Sequence, residues 1–600
     1  MPPMDAPRAT LKSSGPTSAI ALAVMTLLLS WVPPAALRAA AQRPRTPAEH
    51  RARDSQRDFE SLRRFHLPVV RPRHGCDVSI GRLCYWDDNE DPALPPEAAR
   101  VSAAREAFRH VLDSLAVQDS TSDFIMGQRV RYALEAPTDS DATAILAHCS
   151  ATPWWCDALR GLVWHHAGQE ALSAAAYDSA LAAMPDTLRC QWLDVDPWLP
   201  QGVDDPRADG PACTARARTT AALFWLAAPL LTWRPRAARD EFLARRTIAA
   251  VEAGTAIPEG LSWGSDVEEV ALRYGWPTRW AREQDPLAVT TDPEVRVVGH
   301  EPRPSFSLVP NRHAVEHALQ AAPSDWQLED TRKPPMRYAP GWLLRIDTLP
   351  VQIARFRRAG DDSMVVVAAF DARATRVDSV LPAMAGAMLA VAPDSVLVAR
   401  RDRSHTGAGS FTLRAPARDA LLAVEFLDST NAIAARWRGG VTPLPHDALL
   451  SDLLIGLADS TVQLPSLTNA ASGAIASLSV AAGDTVALYW ESYAQASTEH
   501  PARVALRLTP LDHGLLKGIA QSLGLARADH PVSLEWNDPG RADSASGRAL
   551  RVAIPDIPPG HYRIELAIQS GSARSSAMRD ITVTASPGPA LSREDHRPVR

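Results

Sequence analysis

Three residues near the middle of the chain have the types and spacing of a hydrolytic metal site: His313, Glu316 and His317. On a helix, residues four apart share a face, so His313 and His317 would offer two imidazoles to one zinc ion. Glu316 would then serve as base toward a metal-bound water. The flanks argue against that use. Pro302, Pro304, Pro310 and Pro323 box the segment in, leaving about three turns of helix and no long helical stretch downstream to supply a third carboxylate ligand. The favoured reading is a surface helix in a connector, with zinc-dependent hydrolysis as the alternative. His165 and His166 are adjacent, so on a helix they point in different directions and do not converge on one ion. Asp87, Asp88, Asn89, Glu90 and Asp91 form an acidic run without the glycine and distal glutamate of a calcium loop, which reads as solvated. No phosphate-binding GxxxxGK(S/T) loop and no strand-borne GxGxxG occurs. No catalytic residue is assigned, and neither a cofactor nor a metal is expected.

The six cysteines lie between residues 76 and 213. An even number in an exported chain reads as disulfides, and proximity suggests Cys76 with Cys84, Cys149 with Cys156 and Cys190 with Cys213. Export itself is read from the N-terminus. Arg8 and Lys12 precede an apolar run from Ala19 to Leu29, then Pro33-Pro34 and the small residues Ala39, Ala40 and Ala41. That run is short for a membrane span and fits a cleaved signal peptide over residues 1–41, which places the mature chain outside the cytoplasm, in the periplasm or secreted. No second stretch is long enough to span a bilayer. Net charge is −6 and no Lys/Arg block stands out, so a nucleic-acid footprint is absent.

Hydrophobic periodicity divides the 600 residues into a helical first half and a stranded second half. Residues 42–95 read as a helix and a cysteine-stapled loop, 96–214 as a helical repeat region, 215–285 as a further helical segment and 286–340 as a Pro-rich connector. Short alternating runs then predict two antiparallel β-sandwiches, over 341–440 and 446–585, before a disordered tail at 586–600. The fold class is thus multidomain α plus β. Trp490, Tyr493 and Trp536 are aromatics that an exposed sandwich face could offer to a carbohydrate, a second alternative function.

The stretch Leu261 to Trp280 reads as a clamp between the halves, with Ser265 or Asp266 capping a short helix that ends at Gly275. Two resemblances follow. Ala158 to Pro185 resembles a tetratricopeptide repeat: Gly161, Trp164, Tyr177, Ala180 and Pro185 stand at its small, aromatic, large, small and terminating positions, and Ser173 replaces its preferred alanine. Such a unit implies a groove for a protein partner. Phe224-Trp225, Asp240-Glu241-Phe242, Arg245-Arg246, then Trp263, Asp266, Tyr274, Gly275, Trp276 and Pro277 together look like a divergent GWxTD domain of bacterial envelope or secreted proteins. Ser262 stands in place of the motif's glycine and Ser265 in place of its threonine. The resemblance implies location and architecture but no reaction. The combined expectation is a non-enzymatic extracytoplasmic scaffold that binds a protein partner through its helical repeats.

Overall fold

The computed structural model describes residues 44–70, 78–85, 94–135, 140–195, 213–283, 296–300, 308–326, 328, 340–358, 360, 362–375, 383–457, 466–493, 501–511, 532–538 and 546–585. Residues 1–41, which the sequence suggests are a signal peptide, Cys76, the acidic run at 87–91 and the tail at 586–600 lie outside these residues.

Among the described residues ten helices build the first half: α1 (Pro47–His66), α2 (Ala99–Gln118), α3 (Asp123–Leu134), α4 (Ser140–Ala147), α5 (Pro153–His166), α6 (Glu170–Ala183), α7 (Asp186–Trp192), α8 (Cys213–Ala227), α9 (Ala237–Glu252) and α10 (Ser265–Tyr274). Local chemistry starts and stops them. Thr46 caps α1, its hydroxyl accepting from Glu49 N at 3.1 Å with Pro47 in the first turn. Phe59 of α1 stacks on Phe108 of α2, and both meet the edge of Tyr132 of α3 at 5.3 and 5.0 Å between ring centres. Beneath that trio, Glu60, Arg63, Arg131, Glu135 and Glu252 form a buried ionic knot joining α1, α3 and α9. Between α8 and α9 the chain turns through Ala228 to Arg236, buried as far as Thr232 and reaching the surface at Pro235 and Arg236.

The hairpin of α5 and α6 is the unit that resembles a tetratricopeptide repeat. A Cβ on Gly161 would lie 2.7 Å from the Tyr177 ring, so the helices touch where only glycine fits. Ser173 is buried and donates to Gly161 O at 3.0 Å, so the hydroxyl takes up a carbonyl where alanine would leave it. Gly161→Val is expected to cost about 1–3 kcal/mol through overpacking, read as a lower denaturation midpoint at unchanged m-value. The Cys149–Cys156 disulfide, with Cα atoms 5.9 Å apart, ties α4 to α5. Cys190 is also disulfide-bonded, and no cysteine among the described residues is free.

Three short strands, β1 (Val69–Val70), β2 (Val78–Ile80) and β3 (Leu83–Tyr85), precede α2. After α10 come β4 (Arg279–Glu283) and β5 (Arg296–His300). β4 pairs with β1 in parallel and with β5 in antiparallel register. A strand therefore lies where the sequence reads as connector, and α11 (Arg312–Glu316) follows in the same stretch.

The second half is rich in β-sheet. The first block holds β6 (Arg345–Thr348), β7 (Val351–Arg358), β8 (Ser363–Asp371), β9 (Ala383–Ala392), β10 (Ser395–Ser404), β11 (Ala408–Pro416), β12 (Ala420–Asp428) and β13 (Ile433–Val441). They form a five-stranded sheet ordered β10-β9-β12-β13-β6 and a three-stranded sheet ordered β11-β8-β7. Residues from both, such as Val366, Phe411, Leu389, Leu422 and Phe426, enter one core. The second block holds β14 (Leu454–Leu457), α12 (Leu467–Ser472), β15 (Ser479–Ala481), β16 (Thr485–Ser492), β17 (Ala502–Pro510), β18 (Val532–Asp538), β19 (Ser546–Ala553), β20 (Gly560–Ser570) and β21 (Ala573–Thr584). Its sheets are β14-β16-β19 and β15-β21-β20-β17-β18. Pairing is not wholly antiparallel: β6 runs parallel to β13, and β15 parallel to β21. In each block an early strand closes the edge beside the last one, which a hairpin cannot do.

The expected clamp at Leu261–Trp280 is elsewhere. Helix α10 packs on α9 and on the β2–β3 hairpin. The helical half meets the first β block through the outer face of the five-stranded sheet. Trp225, Leu226 and Leu231 there pack with Ala314, Trp326, Met388, Leu421 and Ala423. Within that apolar layer the Glu425 carboxylate accepts from Leu231 N at 2.7 Å, Thr232 N at 2.8 Å and Thr232 Oγ1 at 2.6 Å. Arg438 donates to Leu226 O and to Glu425, and Arg436 donates to Ala228 O and Pro229 O. These carbonyls are the free end of α8, where cations are favoured. Glycine makes the approach possible: a Cβ at Gly440 would sit 2.1 Å from Leu319 O. The two β blocks meet along edge strand β7, where Arg355 forms a two-point pair with Asp452 and Gln352 exchanges hydrogen bonds with the backbone of Ile455.

Candidate functional site

A cleft of about 590 Å³ opens in the helical half. Helices α5 and α9 carry its polar side chains, and the turn after α10 together with Pro340–Trp342 closes its rim. Its position follows from packing already described. The tight Gly161–Tyr177 contact fixes α5 against α6, and Tyr177 OH lies 3.4 Å from Thr247 Oγ1 on α9. The last turn of α5 thereby brings His165 to α9.

His165 Nε2 lies 2.8 Å from Glu241 Oε2, and Arg245 Nε donates to Glu241 Oε1 at 2.5 Å. Arg245 also donates to Leu272 O and Arg273 O, at 3.1 and 2.7 Å, and so caps the C-terminus of α10. Gly275 ends that helix at φ +89°, a conformation glycine adopts freely. Burial opposes ionisation of Glu241, yet Arg245 and His165 hold its pKa far below the usual carboxylate range. Burial likewise opposes the His165 charge, and the bond to Glu241 nonetheless raises its pKa. On the opposite side Arg234 donates to Glu170 at 2.5 Å and lies 4.0 Å over the Trp342 ring.

Asp240 is the exception in this paired surface. It is 1% exposed and lines the cleft, yet neither carboxylate oxygen has a hydrogen-bond partner; Arg239 Nη1 stands 3.5 Å from Oδ1. The indole N–H of Trp276, also in the lining, is buried without an acceptor. Burial pushes the Asp240 carboxyl up to about 6, against the partly compensating charge of Arg239. The unfolded carboxyl releases its proton near pH ~4. Between those values the folded state holds the extra proton, so this group's stability contribution is present in acid and lost as pH rises toward 6. Asp240→Asn is therefore expected to gain about 2–3 kcal/mol relative to the parent between about pH 4 and pH 7. Denaturant titrations of both proteins across that range check it; parallel curves overturn it.

The residues singled out from sequence fall in several places. Asp266 is in the first turn of α10, with Gly264 in the capping position in place of Ser265 or Asp266. It accepts from Arg82 Nε and Nη2, both at 2.7 Å, and so pins the β2–β3 hairpin to α10. That bond holds the Asp266 carboxyl well below its ordinary range. Trp263 is half-buried and Tyr274 buried, while Gly275, Trp276 and Pro277 line the cleft. His313, Glu316 and His317 do not assemble into a metal-binding face. Helix α11 is five residues long and ends at Glu316 with His317 as its C-cap, and the His313 and His317 rings lie 5.5 Å apart. Glu316 pairs with Arg312, and His313 Nδ1 lies 2.7 Å from Asp325 Oδ2, which also receives Ala322 N. Asn311, His313 and Asp325 thus close a strap against the sheet. No group of three or more His, Cys, Asp or Glu placed to hold a metal occurs among the described residues. Trp490 and Tyr493 are 3% and 9% exposed, so they do not form a sugar platform. Strand β16 is covered on both faces: Trp490 faces the second core and Tyr489 faces β7 and β8, while Trp536 on β18 packs onto the second core.

One further string bears on catalysis. Gly260-Leu261-Ser262-Trp263-Gly264 spells GxSxG. It follows no strand, Ser262 is exposed, and Arg82 donates to its hydroxyl and carbonyl at 3.3 and 2.9 Å. A nucleophile elbow needs a strand-to-helix turn, so this serine has no such geometry. Asp240, Glu241 and Arg245 carry one legible sequence signal, a Glu–Arg pair at i, i+4. His165 lies 76 residues away from Glu241, and nothing local joins them.

No family model matches the chain, and no curated protein matches it. Among solved structures it is similar over 44% of its length to Salmonella alpha-2-macroglobulin reacted with methylamine, at 10% identity and TM-score 0.14, spanning 17% of that chain. Alpha-2-macroglobulin from Escherichia coli, trypsin activated, aligns over 40% of this chain and 18% of its own at 12% identity and TM-score 0.14. The C-terminal domain of the Streptococcus pyogenes antigen I/II-family protein AspA aligns over 39% of this chain and 98% of its own, at 8% identity and TM-score 0.13. Likenesses at these scores carry no argument about fold or function.

Proposed function

We propose that this chain is a non-enzymatic extracytoplasmic scaffold of a bacterial envelope or secretome, and that its helical half grips a protein partner. One observation carries the reading. A cleft of about 590 Å³ lies within the size range of ligand sites and holds a buried carboxylate, Asp240, with no hydrogen-bond partner. The α5–α6 hairpin supports a tetratricopeptide-like origin for this surface, and the α9–α10 segment a GWxTD-like one. The paired sheets of the second half support a tandem of β-sandwiches acting as spacers. The N-terminal sequence supports export. Among the described residues, no helix is long and apolar enough to cross a membrane.

A photo-reactive benzoylphenylalanine placed at Thr278, on the cleft rim, tests the reading against the same label at Val117, which is 87% exposed on α2. A defined protein adduct from Thr278 alone, recovered from the envelope fraction of the producing cells, is the expected result. Equal labelling at both positions, or none at either, overturns it.

A further inference from the structure

One acid of the cleft, Asp240, lacks a hydrogen bond and has only the ion-pair contact of Arg239 at 3.5 Å. Glu170 is taken by Arg234, and Glu241 by Arg245 and His165. Asp240 faces the same space with both oxygens unbonded, and its cationic neighbour Arg239 is committed to Asp178 at 2.6 Å. A buried carboxylate in this state seeks an N–H donor, and a charged donor repays its desolvation best. The lining is also aromatic: Trp276 and Trp342 contribute rings, and Trp342 already carries one guanidinium, Arg234, on its face. Rings with a carboxylate favour a cation. The Trp276 N–H, buried without an acceptor, adds a donor suited to a carbonyl beside that cation. A cationic side chain flanked by amides supplies both needs.

We propose that the cleft receives a lysine or arginine side chain of a polypeptide partner, its cationic nitrogen seated on the Asp240 carboxylate and a neighbouring main-chain carbonyl on the Trp276 N–H. The proposal rests on the protein-binding reading and names the partner's chemistry.

Calorimetry and tryptophan fluorescence with the full chain test it, using acetyl-Gly-Lys-Gly-amide, its norleucine counterpart and n-butylammonium as probes. The lysine peptide binds about tenfold or more tightly than the norleucine peptide, and Asp240→Asn erases the difference. n-Butylammonium binds more weakly than the lysine peptide because it lacks the carbonyl. Arg239→Gln, which removes the competing cation, tightens lysine-peptide binding; this opposite sign gives the test a second readout independent of Asp240→Asn. Equal binding of the lysine and norleucine peptides, or an Asp240→Asn protein that still discriminates, overturns the cation site. n-Butylammonium binding as tightly as the peptide overturns the polypeptide partner. Loss of lysine preference with the Thr278 adduct intact removes the cation site and leaves the scaffold reading standing; an absent adduct with the preference intact does the reverse.

Discussion

Glu425→Ala is expected to uncouple the helical half from the first β block, at a cost of about 3–5 kcal/mol. Glu425 is fully buried, and its carboxylate accepts from Leu231 N, Thr232 N, Thr232 Oγ1 and Arg438. Alanine removes every one of these acceptors and leaves Arg438, itself 2% exposed, without its counter-charge. Burial already depresses the pKa of both Arg436 and Arg438, which shows how poorly this layer tolerates a second uncompensated cation. Two buried backbone N–H groups also lose their partner, each a penalty of about 1–3 kcal/mol. The predicted phenotype is specific. Limited proteolysis acquires a site in the 228–236 turn, and the thermal transition of the parent splits into two. A variant that melts in one step within about 1 kcal/mol of the parent rules out this joint as the weld.

Arg131→Met carries the second large effect, again about 3–5 kcal/mol. Arg131 is fully buried and faces three carboxylates: Glu252 Oε1 at 3.1 Å, Glu135 Oε1 at 3.4 Å and Glu60 Oε1 at 3.6 Å. Methionine matches its volume roughly but leaves Glu60 and Glu135 to Arg63 and Arg105, and takes from Glu252 its ion pair with Arg131. The deficit should depend on pH. Burial outweighs the single contact with Arg131 and raises the Glu252 carboxyl to about 7. Its stability contribution is therefore full in acid and lost as pH rises through about 7. Without Arg131 the carboxyl is pushed higher still, so the variant falls furthest behind the parent above about pH 7 and recovers toward pH ~5. Guanidinium titrations at both ends of that range read the difference; a deficit that is constant with pH overturns the assignment to charge.

Much of the element order was legible in the residues. Phe59, Leu62 and Phe65 read as the apolar stripe of α1, of which Phe59 is buried and Leu62 half-buried while Phe65 is exposed, and Thr485 to Tyr493 reads as a strand and forms β16. The Cys149–Cys156 pairing needed only a separation of 7 residues. Strand β9, AMAGAMLAVA, was hidden, because alanine, glycine and methionine have weak strand propensity. It forms because β10 and β12 flank it and its residues fill the core on one side and meet the α8 turn on the other. Small residues there are a demand of neighbours: a Cβ at Gly386 would stand 2.9 Å from Thr232 Oγ1.

The candidate site was less legible. The HxxEH string attracts the eye because its spacing is local, yet a five-residue helix and a tie to Asp325 divert it. Asp240 shows no motif at all. Its character comes from burial without a hydrogen-bond partner, a property of the packed helices α5, α6 and α9.

By itself the sequence determined that the first half is chiefly helical and the second half stranded, and joined the cysteines of one short loop, since periodicity, caps and loop closure act over a few residues. Tertiary structure alone decided that Glu425 reaches a turn 193 residues away, that strand β16 is covered on both faces, and that one acid in the cleft has no hydrogen-bond partner. A polar side chain carries no local mark of whether the fold will pair it, expose it or bury it. That outcome is fixed only when elements distant in sequence dock and exclude water between them.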